Sequence, residues 1–450
     1  MPRSFLGIST EYWTIPVWAR HLSLLGNVLS SITPNGPMVL RIGGSSADQT
    51  FWAPKESPEW VFETSPAWLK QVRRIVNRLG VKVILDLNMV TATPQIAVRW
   101  ARAAEAALPA ESIIGFEIGN EGDIYSHASW QHITHGRASA LLPQRMTARG
   151  YASSYRVYAA ALAGVDRGIP LLGPALSEPA THISWITRLL AGSHPGLGAV
   201  TVHRYPLSAC SPPSARTFPT VARVLSENAT AGIARTIRSS VRAATRAGLP
   251  LRLTEINSVT CGGRSGVSNT FATALWAPDA LFELLNAGAR SAAVHVRANA
   301  INMAFSLTRH GLVANPLLYG LAIFSRTLGP RPQLIPLHLA SRPSLHLKAW
   351  AVRISPNRLH ILLINKGTRP ASVSLRLPIT GRATVEQLLA NSTRATTGVT
   401  LAAQHLNPHG AWTGHRTTRM LNPVSNGYAL SVRGAAATLV TATLRPGVAL

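Results

Sequence analysis

The amino-acid sequence predicts an α/β fold: a (β/α)8 barrel over residues 1–328, followed by a C-terminal antiparallel β-sandwich over residues 329–450. Three observations carry this expectation. Eight short apolar runs alternate with amphipathic helical stretches, the pattern of parallel strands joined by crossover helices. Most of the runs stop abruptly at polar residues, as strands do at the active rim of a closed barrel. Beyond residue 328 helical periodicity gives way to short alternating runs.

In chain order the expected barrel strands span residues 5–9, 38–42, 82–87, 113–118, 171–173, 199–203, 251–254 and 292–296. The fifth is the weakest, being short and ending against Pro174. Helical stretches fall at 65–79, 93–107, 148–165 and 230–247, with a last one at 316–328. The segment GPRPQLIP (329–336) then breaks the pattern, and alternating runs follow at 359–365, 371–377, 384–389 and 437–444. Turn signals at Asn365-Lys366-Gly367 and Asn426-Gly427 separate them. No low-complexity linker lies between the two parts, so close packing of barrel and sandwich is expected.

Composition excludes several classes of protein. With only Cys210 and Cys261 there is no multi-disulfide framework and no cysteine zinc site. No apolar run is long enough for a membrane span. The formal charge of +26 would ordinarily point to nucleic acid or another polyanion. That charge is almost entirely arginine scattered without a basic tract, so no nucleic-acid partner is expected. Coding bias and a surface suited to acidic polysaccharide are both open as its origin. The start, MPRSFLGIST, lacks the apolar core of a signal peptide. Export with a start trimmed in this sequence is the expectation, and residence inside the cell is the alternative.

Chemistry concentrates at the strand ends. IIGFEIGNEGD (113–123) runs from an apolar strand into Asn120 and Glu121, and LRLTEINS (251–258) runs into Glu255. Two glutamates at the C-terminal ends of different barrel strands can face one another across the rim. A carboxyl pair flanking one bond is the equipment of glycoside hydrolysis: one protonated to help the leaving oxygen depart, the other ionised to attack. Taken singly, Glu121 could be a surface carboxylate and Glu255 a buried partner of Arg41. Asn120 could hold a sugar 2-hydroxyl, and Tyr205 could orient the nucleophile. His203 and His295 lack a third ligand at metal spacing, so no metal and no cofactor are expected. Trp13, Trp52 and Trp60 could stack on sugar rings or pack in the core.

These stretches resemble glycoside hydrolase family 79, the β-glucuronidases and heparanases of clan A. The resemblance is carried by FLGISTEY (5–12), LRIGGSSAD (40–48), GFEIGNEGD (115–123), VHRYP (202–206) and LTEINSVTCGG (253–263), with ILLINKG (361–367) in the tail. It implies that Glu121 is the acid/base and Glu255 the nucleophile of a retaining exo-β-glucuronidase, with Asn120 and Tyr205 beside them. Glu11 matches a sugar-binding position, with Ser45 and Ser46 lining the same subsite. The uronate carboxylate is expected on the backbone amides of Cys261, Gly262 and Gly263, since successive N–H groups of a glycine-rich loop form an anion nest. The sequence departs from the pattern at Thr260 and Phe305, where relatives carry tyrosines. That leaves open a retaining β-glycosidase for a neutral sugar, and beyond it a non-catalytic barrel binding acidic polysaccharide. Relatives also place a strand or two before the first barrel strand. On this map Cys210 and Cys261 fall in neighbouring loops of the active face, so a disulfide is expected, with two buried thiols as the alternative. Oligomeric state is not legible.

Overall fold

The computed structural model describes residues 5–447, except 34–36, 53–61, 91, 126–145, 166–167, 330–331 and 341–345. Eight parallel strands close a barrel: β1 (Leu6–Glu11), β2 (Val39–Gly43), β3 (Lys82–Leu87), β4 (Ile113–Ile118), β5 (Leu171–Leu176), β6 (Leu197–Arg204), β7 (Leu251–Ile256) and β8 (Ala292–His295). β1 pairs with both β2 and β8, which completes the ring. The strands are buried on both faces, which explains their near-continuous apolar runs.

Around them lie α1 (Leu22–Ile32), α2 (Pro66–Leu79), α3 (Pro94–Ala107), α4 (Ala148–Leu162), α5 (Ile183–Ala191), α6 (Ala231–Arg246), α7 (Phe271–Asn286) and α8 (Pro316–Leu328). Their starts follow capping chemistry. Ser65, Thr93 and Thr147 each accept a backbone N–H of the first turn, and proline opens α2 and α3. β5 runs past the point where Pro174 was expected to end it. A register irregularity against β6 between Gly173 and Leu176 absorbs the proline, and the Ala175 N–H donates to Thr201 Oγ1 at 3.0 Å instead of to the ladder.

α7 and α8 are buried on nearly all sides, because they lie between the barrel and the C-terminal sheets. Pro278 inside α7 cannot donate to the carbonyl of Ala274. That carbonyl lies against Gly320 of α8, where an added Cβ would come within 2.5 Å of it. The two helices therefore approach to backbone contact where one gives up a hydrogen bond.

The C-terminal part contains β9 (Gln333–Ile335), β10 (Leu347–Ser355), β11 (Arg358–Asn365), β12 (Ala371–Arg376), β13 (Ala383–Leu389), β14 (Gly427–Val432) and β15 (Ala436–Thr443). One antiparallel sheet runs β9-β10-β11-β15-β13 and continues to a short strand at Thr400–Leu401, while β12 and β14 pair separately. Leu359, Ile361 and Leu363 of β11 and Val440 of β15 pack against Val373, Leu375, Tyr428 and Leu430 of the facing pair, giving the sandwich its own core. On the other side Val352, Leu362 and Leu439 merge with the barrel's core. No helix among the described residues is long and apolar enough to cross a membrane.

Candidate active site

The centre of the barrel mouth is a guanidinium. Arg41 on β2 has no solvent exposure, and its planar fork donates in three directions. Nε reaches Glu117 Oε2 at 2.8 Å, Nη2 reaches Asp86 Oδ2 at 2.8 Å and Asn120 Oδ1 at 2.9 Å, and Nη1 reaches Glu255 Oε2 at 3.0 Å. Strands β2, β3, β4 and β7 are thus tied through one side chain. Glu117 is completed by Thr254 Oγ1 at 2.7 Å. Glu255 is a partner of Arg41, as its purely structural interpretation required, but that contact occupies only one of its two oxygens.

The other oxygen faces the mouth. Glu255 Oε1 accepts from the Tyr205 hydroxyl at 2.6 Å and lies 3.2 Å from His295 Nδ1. His295 stands between two acids, with its Nε2 3.5 Å from Glu11 Oε1. Glu11 is itself held by the Ser46 N–H at 2.8 Å and the Ser45 hydroxyl at 3.3 Å. Gly44 lets that carboxylate in: a Cβ there would lie 2.7 Å from Glu11 Oε1, and its φ of +72° suits glycine. Ser45 and Ser46 accordingly hold Glu11 in place, and Ser46 Oγ is already engaged by the Tyr12 N–H and Gly43 carbonyl.

Glu121 sits just beyond β4 in a left-handed conformation with φ +51°. Its N–H donates to the Ala175 carbonyl at 3.0 Å, and its Oε1 lies 2.9 Å from His203 Nδ1. Asp123, two residues on, accepts the Ser177 and Glu178 N–H groups and fastens the β5 loop beside it. One donor atom each from Glu121, His203 and Glu255 all lie within 4.8 Å of one another. One oxygen of each carboxyl therefore lies within 4.8 Å of the other, closer than the roughly 6.5–9.5 Å spacing that leaves room for a water between two carboxyls. The expectation of no metal rested on the histidines lacking a third ligand. Folding supplies such neighbours, because these three groups come from three separate strands.

Their environments push the two acids apart. Burial raises the Glu121 carboxyl, and Glu255 and Asp123 add to that, while His203 opposes without cancelling it. Burial also acts to raise Glu255, but His295, His203 and Arg41 outweigh it and hold this carboxyl well below the usual range. Burial opposes the charge on His295, yet Glu255 and Glu11 raise it to about 9. Glu11 is held low, since His295 and Ser46 overcome the effect of burial. Burial and Glu255 keep the Tyr205 phenol protonated, so it donates.

A cleft of about 410 Å³ opens beside Glu121 and Tyr205, lined also by Arg204, Thr260 and Cys261. Cys210 and Cys261 form a disulfide between the loops after β6 and β7, as expected over two free thiols. The Gly263 N–H is committed to the Thr260 carbonyl at 3.3 Å, which leaves Cys261 and Gly262 as the amides of that loop for a ligand. Phe305 stands at one of the two positions where the sequence departs from the pattern it otherwise resembles. It is 1 % exposed and stacks on Trp18 at 5.7 Å, so it is a packing residue of the core. Trp52 lies against Trp100 at 5.3 Å, Trp13 is partly buried, and Trp60 lies outside the described residues.

Arg41, Glu117, His203 and His295 carry much of this geometry, and the sequence reading gave none of them a role in the chemistry. The available signal was a charged residue inside a buried strand, as with Arg41 in VLRIG and Glu117 in IIGFEI.

No family model matches the chain, and no curated protein matches it. Among solved structures, it is similar to a 4-O-α-L-rhamnosyl-β-D-glucuronidase from Fusarium oxysporum 12S. The TM-score is 0.78 at 17% identity, covering 98% of this chain and 96% of that one. A family 51 α-L-arabinofuranosidase from Bifidobacterium longum gives 0.66 at 15% identity, covering 98% and 97%. A family 30 subfamily 8 xylanase from Clostridium acetobutylicum gives 0.56 at 12% identity, covering 98% and 96%. This chain therefore has, over nearly its whole length, the fold of these glycoside hydrolases: an eight-stranded parallel barrel followed by antiparallel sheets.

Proposed function

We propose that the protein is a retaining β-glycosidase in which Glu121 is the general acid/base and Glu255 the nucleophile. One observation supports this most: two carboxyls facing each other within 4.8 Å, one pushed toward its neutral form and the other toward its ionised form. In the first step Glu121 protonates the leaving oxygen while Glu255 attacks the anomeric carbon, forming a glycosyl ester. In the second, Glu121 deprotonates water, which releases the sugar with its configuration retained. Tyr205 and Arg41 keep the nucleophile oriented and ionised. Arg41 pins the Asn120 carbonyl oxygen and so turns its amide N–H toward a sugar 2-hydroxyl.

The favoured substrate is a β-glucuronide or a terminal uronic acid on an acidic oligosaccharide. This assignment draws on the family 79 resemblance and the glucuronidase fold neighbour. A neutral sugar is the second reading, favoured by Thr260, which brings no phenol to the cleft, and by the arabinofuranosidase and xylanase neighbours. Aryl β-glucuronide and β-glucoside assays, with proton NMR of the first product, test this proposal. Glucuronide turnover giving the β-anomer first is expected. Turnover of the glucoside alone would move the proposal to its second reading, and inversion or no turnover of either would refute it.

A further inference from the structure

Beside the cleft stands a cation that the mechanism above does not use. Arg297 follows β8, two residues beyond His295, and is partly buried. Its Nη2 lies 3.1 Å from the position a Cβ would take on Gly262, so the guanidinium rests against the backbone of the loop after β7. No ion pair or hydrogen bond from its side chain is present among the described residues. By contrast Arg41, Arg204 and Arg264, which also lie around the mouth, are each engaged with a protein acceptor.

The frame around Arg297 is well fastened. The Gly262 carbonyl accepts from the Ile301 N–H at 2.7 Å, which ties the β7 loop to the β8 loop. Asn257 Nδ2 reaches the carbonyls of His295 at 3.0 Å and Asn302 at 2.8 Å, and Asn302 Nδ2 returns to Val259 at 2.6 Å. The Cys210–Cys261 disulfide fixes the same loop from the other side. A partly desolvated guanidinium in a rigid frame, without an anionic partner among the described residues and next to the loop at Gly262, suits a planar carboxylate.

We infer that Arg297 is a specificity-determining residue that, together with the loop at Cys261–Gly262, receives the carboxylate of an anionic sugar held against Glu255. This rests on the glucuronide reading proposed above. It places the substrate's charge at the β7–β8 side of the mouth, away from the leaving group at Glu121.

Steady-state kinetics on an aryl β-D-glucuronide tests it, using the full chain with Arg297→Gln and Arg297→Lys. Arg297→Gln is expected to raise KM about 100-fold with kcat changed only a few-fold, as loss of a charge-assisted bidentate contact does. Arg297→Lys should recover part of the loss, since the charge remains and the fork does not. An unchanged KM in Arg297→Gln, or equal losses in both variants with a lowered melting temperature, would overturn the inference while leaving the glucuronide reading intact. A wild-type enzyme that turns over no glucuronide would overturn both.

Discussion

Two buried ion clusters in this molecule use the same kinds of side chain for different ends. At the seam between barrel and sandwich, Asp279 of α7 is wholly buried. It meets Lys366 at 2.6 Å and Trp350 Nε1 at 3.0 Å, while Lys348 bridges Glu283 at 2.8 Å and Glu227 at 3.1 Å. Burial acts to raise Asp279, but Lys366 and Lys348 outweigh it and keep it ionised. Each charge there is answered by an opposite one. Two of the chain's five lysines are spent on this joint.

At the mouth the charges are left in tension. Arg41 and His295 face Glu11, Asp86, Glu117 and Glu255, and Glu121 is drawn toward neutrality beside them. Asp86 Oδ1 and the Nε2 atoms of His203 and His295 are buried without a hydrogen-bond partner among the described residues. The seam pairs each of its charges within the protein. The mouth holds its acids in different protonation states, which is what acid–base chemistry on a bound sugar requires. Substitution should therefore separate activity from stability.

The largest effect expected is at the mouth. Glu255→Gln should lower kcat on the substrate turned over by the wild type by roughly 10⁴-fold or more. Its melting temperature should move little, because Arg41 keeps Asp86 and Glu117 as partners. Near-normal turnover in this variant would remove the nucleophile assignment.

At the seam the effects should be reversed. Asp279→Ala leaves Lys366 buried without its anion, and a broken buried pair costs about 3–5 kcal/mol. Denaturant unfolding should register that loss while kcat at 25 °C stays within a few-fold of wild type. A stable but inactive Asp279→Ala would erase the contrast between the clusters.

The smallest effect expected is a shift in pH profile. In the proposed mechanism activity needs Glu255 ionised, so it falls as pH drops through a pKa held below the usual range. It also needs Glu121 protonated, so it falls as pH rises through a pKa pushed above that range. His203 lowers both groups, so His203→Phe should move both limbs of the kcat/KM profile to higher pH. A shift to lower pH would contradict the assigned role.

The barrel was largely legible because each strand is a short apolar run, most of them ending at a polar residue, and that pattern needs no knowledge of tertiary contacts. Glu121 and Glu255 stood out for the same reason. What stayed hidden depends on ring closure. Only when β1 pairs with β8 does His295 come between Glu11 and Glu255. Only the barrel interior makes Arg41 of β2 a common partner of residues on β3, β4 and β7. The depth of Phe305 was also hidden, because a motif position says nothing of how far a side chain is buried, and the ring packs against Trp18. Pro174 misled because a local rule about proline was overridden by a register irregularity between neighbouring strands.

The most direct test of the central claim is to trap the covalent sugar. Incubation with a 2-deoxy-2-fluoro-β-glucuronyl fluoride, followed by peptide mass mapping, should find one glycosyl group on the peptide bearing Glu255 and none on that bearing Glu121. Attachment to Glu121 or Glu11, or no adduct in a preparation that turns over an aryl glucuronide, would contradict it.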